Sequence, residues 1–507
     1  MNYPHEKKIM EFLRDKKLIL ASNRGPVEFH EENDEIVMKK GAGGLVATLL
    51  PLMEALNGVW IASPMTQEDE TEARKYPGNR VPVTPEDPEF CVSFVLSDPK
   101  QYQNYYSVIS NPLLWFVQHN MWNSPYTPDI DDKIHNAWND GYKAMNQKFA
   151  DKIVYEAKRT RKEPLIMLQD YHLYLCPLMI RDQLNDIFLS QFIHIPWPQC
   201  DYFNIIPEYM RGAIIKGLLS NNLLGFHIDR YVNNFLQCAE SFADWVDHRQ
   251  GIIYHDSNIT RVRSYPISVD YRSITDMSCS NQVCQKEDLI KEIKGDTFLF
   301  YRSDRADLSK NIIRGFKAYS LFLDKHPEYK GKVKFLSTGK PTRQQIKEYD
   351  DYAQEIIHTI KEINERHGRE GWKPIESKFV SDYGLCVACF KNYDCLVVNP
   401  IADGMNIVPK EASIINEQDG VLVLSENAGC YEELKDYALT INPFDITQTA
   451  EAYYQAVKMN EEERSRRLKG LQKIIKKRTI YHWISEQFDD IERICGWNGI
   501  EFGTGAP

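Results

Sequence analysis

The stretch Cys395-Leu-Val-Val-Asn-Pro-Ile-Ala-Asp-Gly-Met-Asn-Ile-Val-Pro-Lys-Glu411 decides the fold class. Its apolar run Leu396-Val397-Val398 reads as a buried strand, which empties into the polar turn Asp403-Gly404-Met405-Asn406. A helix carrying Lys410 and Glu411 follows. Buried strand, polar turn and helix make the unit of a parallel α/β sheet, where ligands bind outside the carboxyl ends of the strands and helix N-termini present free N–H groups. Asp403 and Glu411 are two carboxylates at one such entrance, suited to gripping sugar hydroxyls. A capped helix with a charged first turn would explain an isolated Asp-Gly better. The ligand reading gains its weight from similar corners elsewhere in the chain.

Outward from this stretch, strands and helices alternate, as parallel sheets with covering helices require. Strands are expected at residues 18–22, 59–63, 91–96, 165–168, 191–195 and 223–228, then at 298–301, 333–337, 378–381, 396–399, 421–425 and 439–442. Helical periodicity marks 134–157, 209–220, 311–326 and 342–367. Residues 265–295 break the pattern with Pro266, a Ser/Cys/Asn patch and a charged helix, which places a domain junction there. At 507 residues the chain exceeds what one core serves, so at least two domains are expected. The architecture is α/β, with two doubly wound domains facing across a cleft.

Composition narrows the function. A formal net charge of −11 argues against nucleic acid, though a small phosphorylated ligand needs only a local basic pocket. Eleven scattered cysteines form no disulfide framework, the charged N-terminus lacks a signal core, and no apolar run approaches a membrane span. A cytoplasmic protein with reduced thiols is the simplest account. Cys386-Val-Ala-Cys389 followed by Cys395 has no second Cys or His pair nearby, so the thiols read as small buried groups and no metal site is assigned. Asp129-Ile-Asp131 has the D-x-D form of metal-dependent sugar transferases, yet its Pro-rich setting before a helix favours a solvated cap.

The other corners are basic or aromatic. Ala21-Ser-Asn-Arg24-Gly-Pro ends the first strand, and Gly41-Ala-Gly43-Gly44-Leu45 opens a helix without completing the dinucleotide fingerprint. The guanidinium fork of Arg24 suits phosphate. Arg302-Ser-Asp-Arg305-Ala-Asp-Leu-Ser-Lys310 follows a strand, so that Arg305 and Lys310 straddle a helix start where a diphosphate would meet both cations. Ion pairs with Asp304 and Asp307 explain this segment alone equally well. Arg343 adds a third cation at the same end of the same sheet, and that convergence favours a ligand. Tyr105-Tyr106 and Trp115 flank Ser110-Asn111-Pro112; rings at this spacing are more often core than sugar platforms. Asp170-Tyr-His172 and His194-Ile-Pro-Trp-Pro end two further strands and offer ligands for sugar hydroxyls.

In this order the motifs Ser22-Asn-Arg24, Gly43-Gly44-Leu45, Tyr106…Ser110-Asn111…Trp115, Asp170-Tyr-His172-Leu, His194-Ile-Pro-Trp-Pro, Leu224-Gly-Phe226, Arg305…Asp307…Ser309-Lys310, Asp403-Gly-Met-Asn406…Lys410-Glu411 and Gly420-Val-Leu-Val-Leu-Ser425 resemble the trehalose-6-phosphate synthase family over nearly the whole chain. That family is a retaining glycosyltransferase group (family 20) with the GT-B fold. The resemblance implies a Rossmann-like acceptor domain at 1–268, a Rossmann-like nucleotide-sugar domain at 269–480, and a helix and tail at 481–507 that cross back to the first domain. Trp483, Phe488, Ile491 and Ile494 have the spacing for that helix.

By the same resemblance Arg24, Tyr106, Trp115, Asp170 and Arg343 hold a phosphorylated acceptor. The donor falls to Gly43, Gly44, Arg305, Lys310, Asp403, Gly404, Met405, Asn406 and Glu411, and Arg305, Lys310, His194 and Asp170 act at the reacting carbon. The implied reaction moves glucose from a nucleotide-glucose to glucose 6-phosphate with retention. No metal or other cofactor is expected, because fixed cations do the work of one. The implied partners are the two substrates, a separate phosphatase downstream and, as an open question, a second copy of the chain; neither nucleic acid nor membrane is among them. Gln169, Ala402 and Ser63 depart from the family pattern beside the sugars. Two alternatives follow: a sister transferase making glucosylglycerol phosphate or coupling a cyclitol, and a non-catalytic sugar-phosphate sensor.

Overall fold

The opening strand keeps its six middle residues buried and ends on exposed Arg24. In the computed structural model, which describes residues 6–33, 35–41, 44–84, 87–379 and 382–497, this strand lies inside a ten-stranded sheet. Its chain order is β1 (Lys16–Arg24), the separate hairpin β2 (Val27–Glu32) and β3 (Glu35–Lys40), β4 (Val59–Ser63), β5 (Arg80–Thr84), β6 (Asp87–Phe94), β7 (Glu163–Gln169), β8 (Phe188–Phe192), β9 (Leu223–Phe226), β10 (Trp245–Asp247), β11 (Ile252–His255) and β12 (Asn258–Ser264). The spatial order is β10-β11-β12-β9-β8-β7-β1-β4-β6-β5. The strands from β12 to β6 pair in parallel, and both edges finish antiparallel. The chain leaves β1 toward β4 on one side and reaches β7 on the other. Arg24, Asp170 and His194 all follow carboxyl ends in this central region.

The second sheet holds β13 (Phe298–Ser303), β14 (Val333–Gly339), β15 (Ile375–Phe379), β16 (Cys395–Val398), β17 (Val421–Ser425) and β18 (Leu439–Ile441). All its pairs are parallel, in the order β15-β14-β13-β16-β17-β18. This is the doubly wound dinucleotide-fold order, whose topological switch point lies between the first and fourth strands. Here those strands are β13 and β16, in register at Phe300–Cys395 and Tyr301–Leu396. Every residue of β16 and β17 is buried, as covered parallel strands require.

The chain divides into two compact units. One takes residues up to Gln118, Trp122–Pro266 and the chain from Tyr481 on; the other takes His119–Met121 and Ile267–Ile480. The division falls between Pro266 and Ile267, two residues before the expected 268. The last described helix, Ile480–Trp497, buries Trp483, Phe488, Ile491 and Ile494.

Several elements differ from the sequence reading. The hairpin β2–β3, strand β5 and the meander β10–β12 escape it because they are short, charged or at a sheet edge, where burial imposes little pattern. The expected strand at 191–195 begins earlier, at Phe188, and stops at Phe192, because the chain turns out toward Pro196. The expected helix at 134–157 is two helices, Asp132–Ala137 and Ala144–Arg159, joined by a wider turn at Trp138–Lys143. Gly141 sits in that turn, and a Cβ there would lie 2.5 Å from Asn104 Cβ, so only glycine lets the segment carrying Tyr105 and Tyr106 approach.

Candidate active site at the strand ends

In the second unit, the loops after β13 and β16 meet at the switch point. The Ile401 N–H donates to the Ser309 carbonyl at 2.8 Å, which ties the two loops together. Lys310 Nζ then donates to Asp403 Oδ2, and Asn406 Nδ2 donates to the same oxygen at 3.1 Å. Burial alone would lower the Lys310 pKa, but the charges of Asp403 and Asp304 win and raise it, so the ammonium is firmly protonated. Arg302, with no exposed side chain, bonds Asp304 Oδ2 at 2.8 Å and the Lys310 carbonyl at 2.9 Å. It is therefore a framework cation that holds the loop. Burial raises the Asp304 pKa against the pull of Arg302 and Lys310.

Arg305 is exposed and, among the described residues, no carboxylate pairs with it. A cavity of about 310 Å³ opens beside it, lined among others by Lys310, Lys340, Asp382 and Tyr383. Gly339 closes one wall; a Cβ there would lie 1.8 Å from the Asp304 carbonyl oxygen. Tyr383 reaches Glu411 Oε1 with its hydroxyl at 3.1 Å. Burial pushes the Glu411 carboxyl up to about 7, with that hydrogen bond pulling the other way. Lys410, next in sequence, is structural: its buried Nζ bonds Glu433 Oε2 at 2.5 Å and the Ile267 carbonyl at 2.8 Å.

Gly404 and Met405 join the same turn, with the Gly429 N–H donating to the Asp403 carbonyl at 3.0 Å and the Cys430 N–H to the Met405 carbonyl at 2.8 Å. Asn406 adopts φ 60°, and its Oδ1 accepts the Val408 N–H at 3.3 Å as the helix Val408–Ile415 begins. Arg343 points inward, bonding buried Asp307 Oδ2 at 3.2 Å and the Tyr349 hydroxyl at 2.5 Å. Burial would raise the Asp307 pKa, but Arg343 and Arg305 hold it below the usual range.

The first unit's strand ends are built differently. Asp170 follows β7 with φ 72° and ψ 178°, a backbone region costly for a residue with a Cβ and concentrated at functional sites. Its Oδ1 accepts the His194 N–H at 3.2 Å. The His194 ring sets Nε2 3.0 Å from Gln169 Oε1 and packs among Phe192, His227 and Trp483. Burial drives its pKa down to about 3, so the imidazole is neutral. Tyr106 stacks between Tyr102 and His172, with ring centroids at 5.6 and 5.9 Å. Trp115 is buried against Tyr171. Arg24 is exposed, while its neighbour Asn23 donates to the Tyr102 hydroxyl at 3.2 Å. Gly44 begins the helix Gly44–Ala55; Gly43 lies outside the described residues.

The structure thus collects Arg305, Lys310, Asp403, Gly404, Met405, Asn406 and Glu411 at one switch point, and Arg24, Asp170 and His194 at the carboxyl edge of the other sheet. Arg343 sits in the second unit, engaged with Asp307. Lys340, Asp382 and Tyr383 were missed from sequence, whereas Asp304, expected only as an ion-pair partner in the basic corner, pairs with Arg302. Asp131 caps the helix Asp132–Ala137 by accepting the Ile134 N–H at 3.1 Å. Burial raises the thiol pKa of Cys389 and Cys395, which keeps them protonated.

A family model described as glycosyltransferase family 20 matches residues 16–493. The chain belongs to glycosyltransferase family 20. It is 30% identical over 492 residues to an α,α-trehalose-phosphate synthase (UDP-forming) of Pichia angusta, covering 94% of this chain and 99% of that one. A bifunctional trehalose-6-phosphate synthase/phosphatase of Thermoproteus tenax is 29% identical over 483 residues; the match takes in 92% of this chain but spans 62% of that relative's length. Among solved structures, an E. coli protein described as bound with UDP-2-fluoro glucose superposes with a TM-score of 0.80 at 26% identity, covering 94% of this chain and 99% of that one. A trehalose 6-phosphate synthase of Burkholderia multivorans superposes at 0.83, with 24% identity and 97% and 99% coverage. The α/β fold is that of these family 20 enzymes, the GT-B fold. Among the described residues no helix is long and apolar enough to cross a membrane.

Proposed function

We propose that this family 20 glycosyltransferase moves glucose from UDP-glucose to glucose 6-phosphate, releasing UDP and trehalose 6-phosphate. The observation that carries the reading is the exposed Arg305 beside the Lys310–Asp403 pair, at the mouth of a cavity on a topological switch point. A donor diphosphate entering there meets two fixed cations. Lys310 transfers its contact from Asp403 to the phosphate, and Asp403 becomes free to accept a glucose hydroxyl. Glu411 and Tyr383 take the ribose. As the anomeric C–O bond to diphosphate breaks, charge grows on the leaving oxygen, where Arg305 and Lys310 stabilise the transition state more than the ground state. The new C–O bond forms on the same face from the acceptor's anomeric hydroxyl, whose proton passes to the leaving phosphate oxygen. Because two protein cations meet the leaving charge, the step is proposed to run without a metal.

Arg24 and the ring of Tyr106 are assigned to the acceptor phosphate, together with Trp115 and Arg343. Neutral His194 and Asp170 serve sugar hydroxyls. UDP is the proposed donor nucleotide because the Pichia angusta relative is UDP-forming and the E. coli structure is bound with UDP-2-fluoro glucose. A separate phosphatase and a cytoplasmic setting complete the reading, the latter supported by eleven free cysteines. Incubating the purified protein with glucose 6-phosphate and UDP-, GDP- or ADP-glucose, and scoring disaccharide phosphate by mass, tests it. Product with UDP-glucose supports the proposal; nucleotide release without disaccharide phosphate overturns the acceptor. The Gln169–His194 contact favours one second reading, a sister transferase with another acceptor, since a family departure there bears directly on a sugar ligand.

A further inference from the structure

A cavity in the first unit lies at the opposite edge of its sheet from Arg24, Asp170 and His194. It has a volume of about 730 Å³ and is ringed by Arg14, Lys17, Arg80, Arg159, Arg161 and Lys162. These residues come from the amino-terminal ends of β1 and β5 and from the turn before β7. Leu13 and Val59, both buried, give it an apolar floor. Glu156 is the one carboxylate in the lining, and it is already satisfied by Arg80 Nε at 3.2 Å and the Ser93 hydroxyl at 2.7 Å. Lys162 Nζ donates to the Arg14 carbonyl at 3.0 Å and Arg159 to the Tyr155 hydroxyl at 3.0 Å, neutral partners that leave the positive charge in place. Asp15 reaches Arg14 only at 3.8 Å, from an exposed rim.

Six cations around one spent carboxylate stand out on a chain whose net charge is −11. A concave wall of one sign focuses its field on an ion of the other. The volume lies within the range of small-molecule pockets, and its walls carry far more cationic groups than such pockets usually do. We infer that this cavity is a second ligand site, distinct from the catalytic edge, for a small metabolite bearing at least two phosphate charges. Seven residue steps along β1 separate Lys17 from Arg24, about 23 Å at the usual strand rise. The two sites therefore bind independently while sharing a rigid strand.

Inorganic pyrophosphate is the probe, titrated calorimetrically into the full chain. Saturating UDP is present throughout to occupy the catalytic phosphates. The expected result is a saturable site that survives in Arg305→Ala and weakens at least tenfold in the triple variant Arg159→Glu, Arg161→Glu, Lys162→Glu. Those three side chains are exposed, and basal glucosyl transfer is expected to be unchanged. Ala55→Trp, which fills the cavity without touching a charge, is expected to abolish binding as well. Pyrophosphate binding that the triple variant or Ala55→Trp leaves intact overturns the inference, as does the absence of any site under saturating UDP.

Discussion

The two strand-end clusters use opposite physics. At the switch point of the second sheet, Lys310–Asp403, Arg302–Asp304 and Arg343–Asp307 are partly or fully buried ion pairs. At the carboxyl edge of the first sheet the side chains are neutral and aromatic: Tyr106 stacks on His172, and His194 is held uncharged against Gln169. A leaving diphosphate needs preorganised charge, whereas a sugar needs flat surfaces and hydroxyl ligands. Under the proposed function, the contrast assigns the electrostatic share of catalysis to the second unit and the positioning of sugars to the first.

The sharpest way to break that contrast is to remove one cation. Arg305→Ala and Lys310→Ala are each expected to lower kcat about 10²- to 10³-fold, the usual loss for one preorganised donor to a developing charge. Donor KM should stay within about tenfold. Arg305 is exposed, so its variant folds normally, whereas Lys310→Ala also removes the ammonium that Asp403 pairs with. Steady-state kinetics of both variants decide the point; an unchanged kcat in both removes the electrostatic role.

Arg24→Ala probes the one cation assigned to the first cluster, which otherwise holds aromatic rings, neutral His194 and the carboxyl group of Asp170. A charge-assisted hydrogen bond is worth about 1.5–3 kcal/mol, so KM for glucose 6-phosphate should rise between about ten- and 150-fold. Slow hydrolysis of the donor in the absence of acceptor should not change. Equal losses in both reactions would move Arg24 out of acceptor binding.

The charged cluster was the more legible of the two, for a physical reason. Strands buried on both faces, such as β16, leave an unbroken apolar run, and polar residues directly after such a run can only be at a strand end. Arg305, Lys310, Asp403 and Glu411 were readable that way. Their partners were not: that Arg343 meets Asp307 depends on how two loops pack, and no spacing encodes it. Tyr383 follows β15, which the sequence reading placed three residues late, at 378–381, because the charged residues Glu376 and Lys378 blur its start. In the first unit, Tyr106 and Trp115 carry a signal indistinguishable from core. The backbone of Asp170 at φ 72° is invisible in sequence, because glycine is the residue that normally marks such a conformation.

A smaller effect sharpens the contrast through pH. Burial lifts the Glu411 carboxyl in the fold to about 7, above its ordinary value near 4.5. Across that window the folded chain binds the proton that the unfolded chain has released. Stability is therefore fullest below pH 4.5 and declines as pH rises toward 7. Ionised Glu411 is the better acceptor for ribose hydroxyls, so donor KM should fall a few-fold between pH 6 and 8 while stability falls. Glu411→Gln should flatten both trends. Donor KM measured across that range, with chemical denaturation at pH 5 and 7, reads the two together; a variant that keeps the native slopes assigns them elsewhere.

The least effect is expected where the first cluster departs from its family. Gln169 sits 3.0 Å from His194 Nε2, so under the proposed function it acts on the sugar through that ring. Gln169→Leu removes one neutral hydrogen bond, worth about 0.5–1.5 kcal/mol, and should cost about three- to tenfold in kcat with no new pH dependence, since His194 remains neutral. Gln169→Glu separates orientation from charge. A carboxylate at this distance favours the imidazolium and raises the His194 pKa from about 3 toward the ordinary histidine range. An acid limb should then enter the kcat profile in Gln169→Glu and stay absent in Gln169→Leu. Identical profiles would mean that the protonation state of His194 is immaterial, and that the neutrality of the first cluster follows from burial without serving the reaction.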